Sequence, residues 1–127
     1  MTQEEKDLVI QDLCARLPYG VKLDHLLDVV PSDLTAIDIY RETLYCLRKG
    51  REEWYKVEFI KPYLRPMSSM TEEERHEYKV LSSEFGFTEF YKASAILVNW
   101  LNKKMFDCRK LIPKGLANVA PDGMYNS

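Results

Sequence analysis

The sequence predicts an α+β fold: an N-terminal helix, a small antiparallel β-meander of about three strands, then two C-terminal helices packed on the sheet plus a short helical turn. Three observations carry this prediction. Apolar residues recur at three- and four-residue steps over Val9–Leu17, alternate with polar ones in the middle of the chain, and return to helical spacing after Thr71. The stiff segment Ile60–Arg75, IKPYLRPMSSMTEEER, separates the alternating half from the helical half. The length of 127 residues suits a single domain, 1–127, that buries roughly two thirds of the surface of its unfolded chain.

Taken in order, Thr2-Gln3-Glu4-Glu5 has capping-box spacing, so a helix starts at Gln3. Val9, Ile10, Leu13, Cys14 and Leu17 form its apolar stripe, and Pro18-Tyr19-Gly20 ends it. Val21–Leu23 opens a candidate strand, His25–Val30 fits helix and strand equally, and Pro31-Ser32-Asp33 reads as a turn. Strands follow from alternation over Leu34–Tyr40, Thr43–Leu47 and Trp54–Ile60, with Arg41-Glu42 and Lys49–Glu52 as connections. Pro62 and Pro66 each lack a backbone donor and push Lys61 and Arg65 away from helical conformation, so the segment runs extended, with Tyr63, Leu64 and Met67 available to pin it down. Thr71 with Glu74 repeats the capping box, and Glu72–Glu74 place negative charge on the positive end of a helix dipole. That helix runs over Glu72–Phe85 with Tyr78, Leu81 and Phe85 inward, and Gly86 terminates it. Thr88 caps a second helix, Glu89–Met105, whose broad apolar arc (Phe90, Ala93, Ile96, Leu97, Val98, Trp100, Leu101) predicts contact with more than one neighbour. Asp107 caps a short turn before Pro113, and the irregular end is tacked down by Leu116, Val119 and Tyr125.

Composition narrows the function classes. A net charge of −2 gives the whole chain no preference for nucleic acid. No apolar run reaches the length of a membrane span, and MTQEEKDLVIQDL lacks the basic-then-apolar layout of a signal peptide, so the expectation is a cytoplasmic protein that meets no membrane. Three cysteines, Cys14, Cys46 and Cys108, stand far apart with no CxxC and no Cys/His ligand cluster, which predicts reduced thiols, at least two of them packed as small hydrophobes. Phosphate-cradling glycine motifs and G-x-S-x-G are absent, and no catalytic, metal or cofactor residue can be assigned.

Three blocks, LCARLPYGVKL (Leu13–Leu23), KPYLRPMSSMTEEE (Lys61–Glu74) and WLNKKMFDCRKLIPKGLANVAPDGMY (Trp100–Tyr125), together about 50 of the 127 residues, resemble a family of short proteins from gut commensal bacteria, their phages and mobile elements. The family has no assigned activity, cofactor or catalytic residue. The chain departs from its usual form at Cys108–Lys110, where an aromatic followed by Arg-Gly is expected. The resemblance implies a phage or mobile-element context.

Three constellations remain. Tyr45, Trp54, Tyr55 and Tyr63 make the strand half rich in aromatics; such residues are ordinary in strands, but alternation turns some outward, where aromatics anchor protein contacts. Lys103, Lys104, Arg109, Lys110 and Lys114 crowd one segment beside Trp100 and Phe106, a pattern that serves either a nucleic-acid contact or a solvated helix end. His25 and His76 are the only histidines; a Cys–His nucleophilic pair would require His25 or His76 within hydrogen-bond reach of a cysteine in a cleft. The reading that follows is a non-enzymatic interaction or adaptor protein with a protein partner, possible self-association included. The alternatives are a nucleic-acid accessory protein using Lys103–Lys114, and a small Cys/His-dependent hydrolase or transferase.

Overall fold

The computed structural model describes residues 1–25, 28–83 and 90–125, with the side chains of 28, 29, 83 and 90–94 left aside. Helix α1 (Gln3–Arg16) begins as expected: the Glu5 N–H donates to Thr2 Oγ1 at 3.1 Å, and the Thr2 N–H donates back to Glu5 Oε1 at 2.9 Å. A 3-10 turn over Leu17–Tyr19 closes it, and Gly20, at φ 81°, takes the left-handed conformation that lets the chain reverse into the sheet.

Among the described residues six strands follow where about three were expected: β1 (Lys22–His25), β2 (Asp28–Asp38), β3 (Thr43–Arg48), β4 (Arg51–Lys56), β5 (Ile60–Leu64) and β6 (Asn118–Val119), in the order β4-β3-β2-β1-β5-β6. Strands β1 to β4 are an antiparallel meander, β5 returns to pair antiparallel with β1, and β6 lies parallel to β5. Three corrections account for the strands up to β5, and β6 falls in the tail that was expected to be irregular. Pro31-Ser32-Asp33 is strand, not turn: the β1–β2 register slips between Leu23 and His25, and a proline is tolerated in such a bulge because no ladder bond is asked of it. The run Trp54–Ile60 is not one strand, because a 3-10 turn over Val57–Phe59 breaks it and starts β5. The proline segment then serves as that strand. β6 pairs only with Tyr63 and Leu64, so β5 has one neighbour at Pro62 and a residue without an N–H can sit there. Strand β2 also ends before its expected limit, leaving Ile39 and Tyr40 in the turn, 66% and 96% exposed.

The strands β3 and β4 are joined by Lys49-Gly50 alone. Both residues have positive φ, 51° and 77°, the type I′ geometry whose twist matches the flanking strands.

Alternation sorts the sheet into two faces. Leu23, Leu34, Leu44, Cys46, Ile60 and Leu64 point inward and are covered by Val9, Ile10 and Leu13 of α1. The cover combines α1 with Met105, Leu111, Leu116 and Ala117 of the C-terminal segment, and among the described side chains the two C-terminal helices add none to it, so the expectation that they pack on the sheet is corrected. Among the described side chains, α2 (Glu72–Ser83) and α3 (Phe90–Lys103) build a separate small core: Leu101 with Met70 and Phe106, flanked by Tyr78, Leu97 and Trp100. Ile96 and Val98 of the predicted wide arc are each 41% exposed. The second capping box is present, with the Glu74 N–H donating to Thr71 Oγ1 and the Thr71 N–H to Glu74 Oε1. Phe85, the Gly86 terminator and the Thr88 cap lie outside the described residues.

The two cores are joined at Arg65. Its N–H donates to the Met105 carbonyl at 2.7 Å, and its carbonyl accepts from the Asp107 N–H at 2.9 Å. The Asp107 carboxylate then caps the following turn, accepting from the N–H groups of Leu111 and Ile112. In the tail, Leu116 is buried and the Tyr125 hydroxyl donates to the Tyr63 carbonyl at 2.7 Å. Val119 is 55% exposed, so its segment is held by backbone pairing instead of by that side chain.

Candidate interaction site

The face of the sheet opposite α1 carries the residues of opposite parity: Tyr63 on β5, Lys22 on β1, Asp33 on β2, Tyr45 and Leu47 on β3, Glu52, Trp54 and Lys56 on β4. Tyr45 and Trp54 are direct cross-strand partners with ring centroids 4.8 Å apart, and Trp54 remains 52% exposed. The Glu52 carboxylate, accepting from the Tyr45 hydroxyl, together with desolvation, raises the Tyr45 phenol above its usual range. The pair thus forms an aromatic platform with an acid fixed at its rim.

The four aromatics predicted as one surface divide. Tyr55 faces the other way: it meets His25 edge-on at 4.4 Å, packs against the main core, and donates its hydroxyl to Glu53 at 3.0 Å. Tyr63 shares the outer face but lies on β5, with β3, β2 and β1 between it and the edge strand that carries Trp54. Desolvation and the charge of Asp24 raise its phenol.

The five basic residues are spread over different environments. Lys103 and Lys110 are exposed, and Lys104 is half-buried. Lys114 shares a shallow concavity with Glu4, Glu5 and Asp7, the acidic first turns of α1. Arg109 turns inward, donating to Asp12 Oδ1 at 2.7 Å and to Asn102 Oδ1 at 2.9 Å.

That last contact belongs to a buried network the sequence reading missed. Asp12 and Arg16, both fully buried, pair one helical turn apart: Arg16 Nε donates to Oδ2 at 2.8 Å and Nη2 to Oδ1 at 3.0 Å. Arg16 Nη2 also donates to the Phe106 carbonyl at 2.7 Å, and the Cys108 sulfur lies 3.5 Å from Arg109 Nη1. The network ties α1 to the end of α3 and to the corner at Cys108–Arg109. The i, i+4 spacing of Asp12 and Arg16 within the apolar stripe was the one signal available. A second missed pair is Arg65 with Glu74, bidentate at 2.7 and 2.8 Å, the guanidinium lying 4.2 Å over the Phe106 ring. It holds the Glu74 carboxyl down to about 2. Arg16, Arg65 with Glu74, and Phe106 with Arg109 thus bring three distant segments of the chain together, and Arg65 also lines a cavity of about 300 Å³ with Ser69, Thr71, Val119 and Tyr125.

The thiols fall into three settings: Cys14 is exposed, Cys108 half-buried and Cys46 buried. Cys14, expected in the apolar stripe, is thus on the solvent side of α1. Burial pushes the Cys46 thiol up to about 11 against the opposing hydrogen bond with Ser32, whose hydroxyl also bonds His25 Nε2. Ser32 therefore stands between the cysteine and the imidazole, and all three side chains are buried. His76 is exposed on α2. Among the described residues, no group of three or more His, Cys, Asp or Glu side chains is placed to hold a metal ion, and no helix is long and apolar enough to cross a membrane. No family model, curated protein or solved structure matches the chain.

Proposed function

We propose that this chain is a non-enzymatic interaction protein of phage or mobile-element origin that engages a host protein through the outer face of its sheet at Tyr45 and Trp54. One observation carries the reading: a tilted cross-strand aromatic pair in contact, with Trp54 half-exposed, lies on the sheet face opposite the covering helix. Aromatic side chains supply large, rigid contact area and dominate the energetics of many interfaces. The phage or mobile-element context rests on the resemblance of the three blocks.

The nucleic-acid reading has less support, because Arg109 is committed to Asp12 and Lys114 sits among acids. The Cys/His reading has less as well, because a serine separates Cys46 from His25 inside the core.

The experiment is photo-crosslinking in host lysate with Tyr45→p-benzoylphenylalanine, compared with the same group at exposed Glu73 on α2. A discrete host-protein adduct from position 45, competed by unlabelled protein but not by its Trp54→Ala variant, is the expected result. Adducts equal from both positions, or none from position 45, refute the reading.

A further inference from the structure

Strand β4 is the outermost strand of the sheet, and its pairing with β3 runs from Arg48↔Arg51 to Thr43↔Lys56 without a bulge. The turn type dictates which backbone groups are spent. A two-residue type I′ turn makes Arg48 and Arg51 a hydrogen-bonded pair, and antiparallel pairs alternate thereafter. Arg51, Glu53 and Tyr55 therefore bond to β3, and the Val57 N–H continues the series by donating to the Glu42 carbonyl at 3.0 Å. Glu52, Trp54 and Lys56 aim their N–H and C=O groups at the free edge. An edge this regular is a template for another strand.

Strand parity and side-chain charge together select the occupant. We infer that β4 pairs antiparallel with β4 of a second copy, about a two-fold axis through Trp54, so that the two sheets become one. Only edge-facing residues can form hydrogen-bonded pairs across such an axis, which leaves few registers. An axis at Glu52 sets glutamate on glutamate, and one at Lys56 sets lysine on lysine. An axis at Glu53 or Tyr55 places a charged residue against Trp54. The axis at Trp54 sets Glu52 opposite the second copy's Lys56, Trp54 opposite Trp54, and Lys56 opposite Glu52. Three hydrogen-bonded pairs result, with opposite charges at both ends. On the other face the same register sets Glu53 opposite Tyr55, the phenol that already donates to Glu53 within the chain. This is an isologous contact, closed after two copies and offering no edge for further growth on that side.

The dimer also enlarges the outer face. The two Tyr45–Trp54 platforms meet across the axis as one strip of four rings. The inference stands on the β4 edge and does not depend on the host-partner reading; either can hold without the other.

The test is sedimentation equilibrium on the full chain over a concentration series reaching about 1 mM, the weak limit of measurable association. The variants are Glu52→Lys, Lys56→Glu, and the double variant carrying both, each checked for a wild-type circular dichroism spectrum. Wild type should dimerise. Each single variant sets like charges opposite each other at both ends and should dimerise at least tenfold more weakly. The double variant should recover wild-type affinity, and an equimolar mixture of the two single variants should form heterodimers, because each then supplies the charge the other lacks. A monomeric wild type throughout the series overturns the inference. So does a dimer indifferent to both single variants, since it would use another surface, and so does a wild-type chain isolated with a foreign polypeptide on this edge.

Discussion

Replacing Asp12 by alanine is the most consequential single change that the buried network predicts. The carboxylate accepts three hydrogen bonds from two guanidiniums, and both it and Arg16 are fully buried. After Asp12→Ala, Arg109 can swing toward solvent from its 18% exposed position, but Arg16 cannot. It keeps the Phe106 carbonyl and a 3.9 Å approach to the Cys108 sulfur, and its Nη1 has no hydrogen-bond partner among the described residues. A buried cation stripped of its counter-ion costs about 3–5 kcal/mol. With a urea slope of roughly 2 kcal/mol per molar for a domain of this size, the midpoint should fall by about 2 M. The double variant Asp12→Leu/Arg16→Met removes both charges and fills the space with apolar atoms. It should return to within about 1 kcal/mol of wild type. Urea unfolding followed by circular dichroism measures both. A loss below about 1 kcal/mol for Asp12→Ala, or a double variant no better than the single, would refute the claim that the pair is a buried, mutually dependent unit.

The remaining predictions are local. Glu74 has its carboxyl lowered from 4.5 to about 2, chiefly by Arg65, so its contribution is complete above pH 4.5 and is lost as the pH falls from there toward 2. Glu74→Gln should cost about 2 kcal/mol at neutral pH and flatten the acid limb of the stability profile, read by thermal unfolding from pH 7 to 2. The exposures of the thiols predict an order of alkylation by iodoacetamide, with Cys14 first, Cys108 next and Cys46 only on unfolding; early modification of Cys46 by mass spectrometry would contradict its place in the core. Lys49 adopts φ 51° at the first central position of a type I′ turn, where asparagine is favoured, so Lys49→Asn should stabilise by about 0.5 kcal/mol and Gly50→Ala should destabilise by about 1 kcal/mol in chemical unfolding.

What could be read from the sequence was mostly local. The capping boxes at Thr2–Glu5 and Thr71–Glu74 use neighbours three residues apart, and both formed as the spacing required. The Asp107 cap was legible for the same reason. Prolines were the main source of error in the sheet. Pro31 read as a turn and Pro62 as part of an extended linker, yet both lie in paired strands, each tolerated because of where its missing donor falls, and that depends on strands paired from elsewhere in the chain. The buried network was illegible because Arg109 reaches Asp12 from 97 residues away. Of the four aromatics, period-2 alternation correctly sets Tyr45 and Tyr55 on opposite faces once the β3–β4 register is known, but the register itself depends on the Lys49-Gly50 turn being two residues long.

The direct test of the open edge is backbone amide exchange, resolved by residue across β4 at low and high protein concentration. The account requires slow exchange at Arg51, Glu53 and Tyr55 under both conditions, with Glu52, Trp54 and Lys56 fast in dilute solution and protected as concentration rises. Slow exchange at all six residues in dilute monomer, or fast exchange at Glu53 and Tyr55, would mean that β4 is not the free strand on which the account depends.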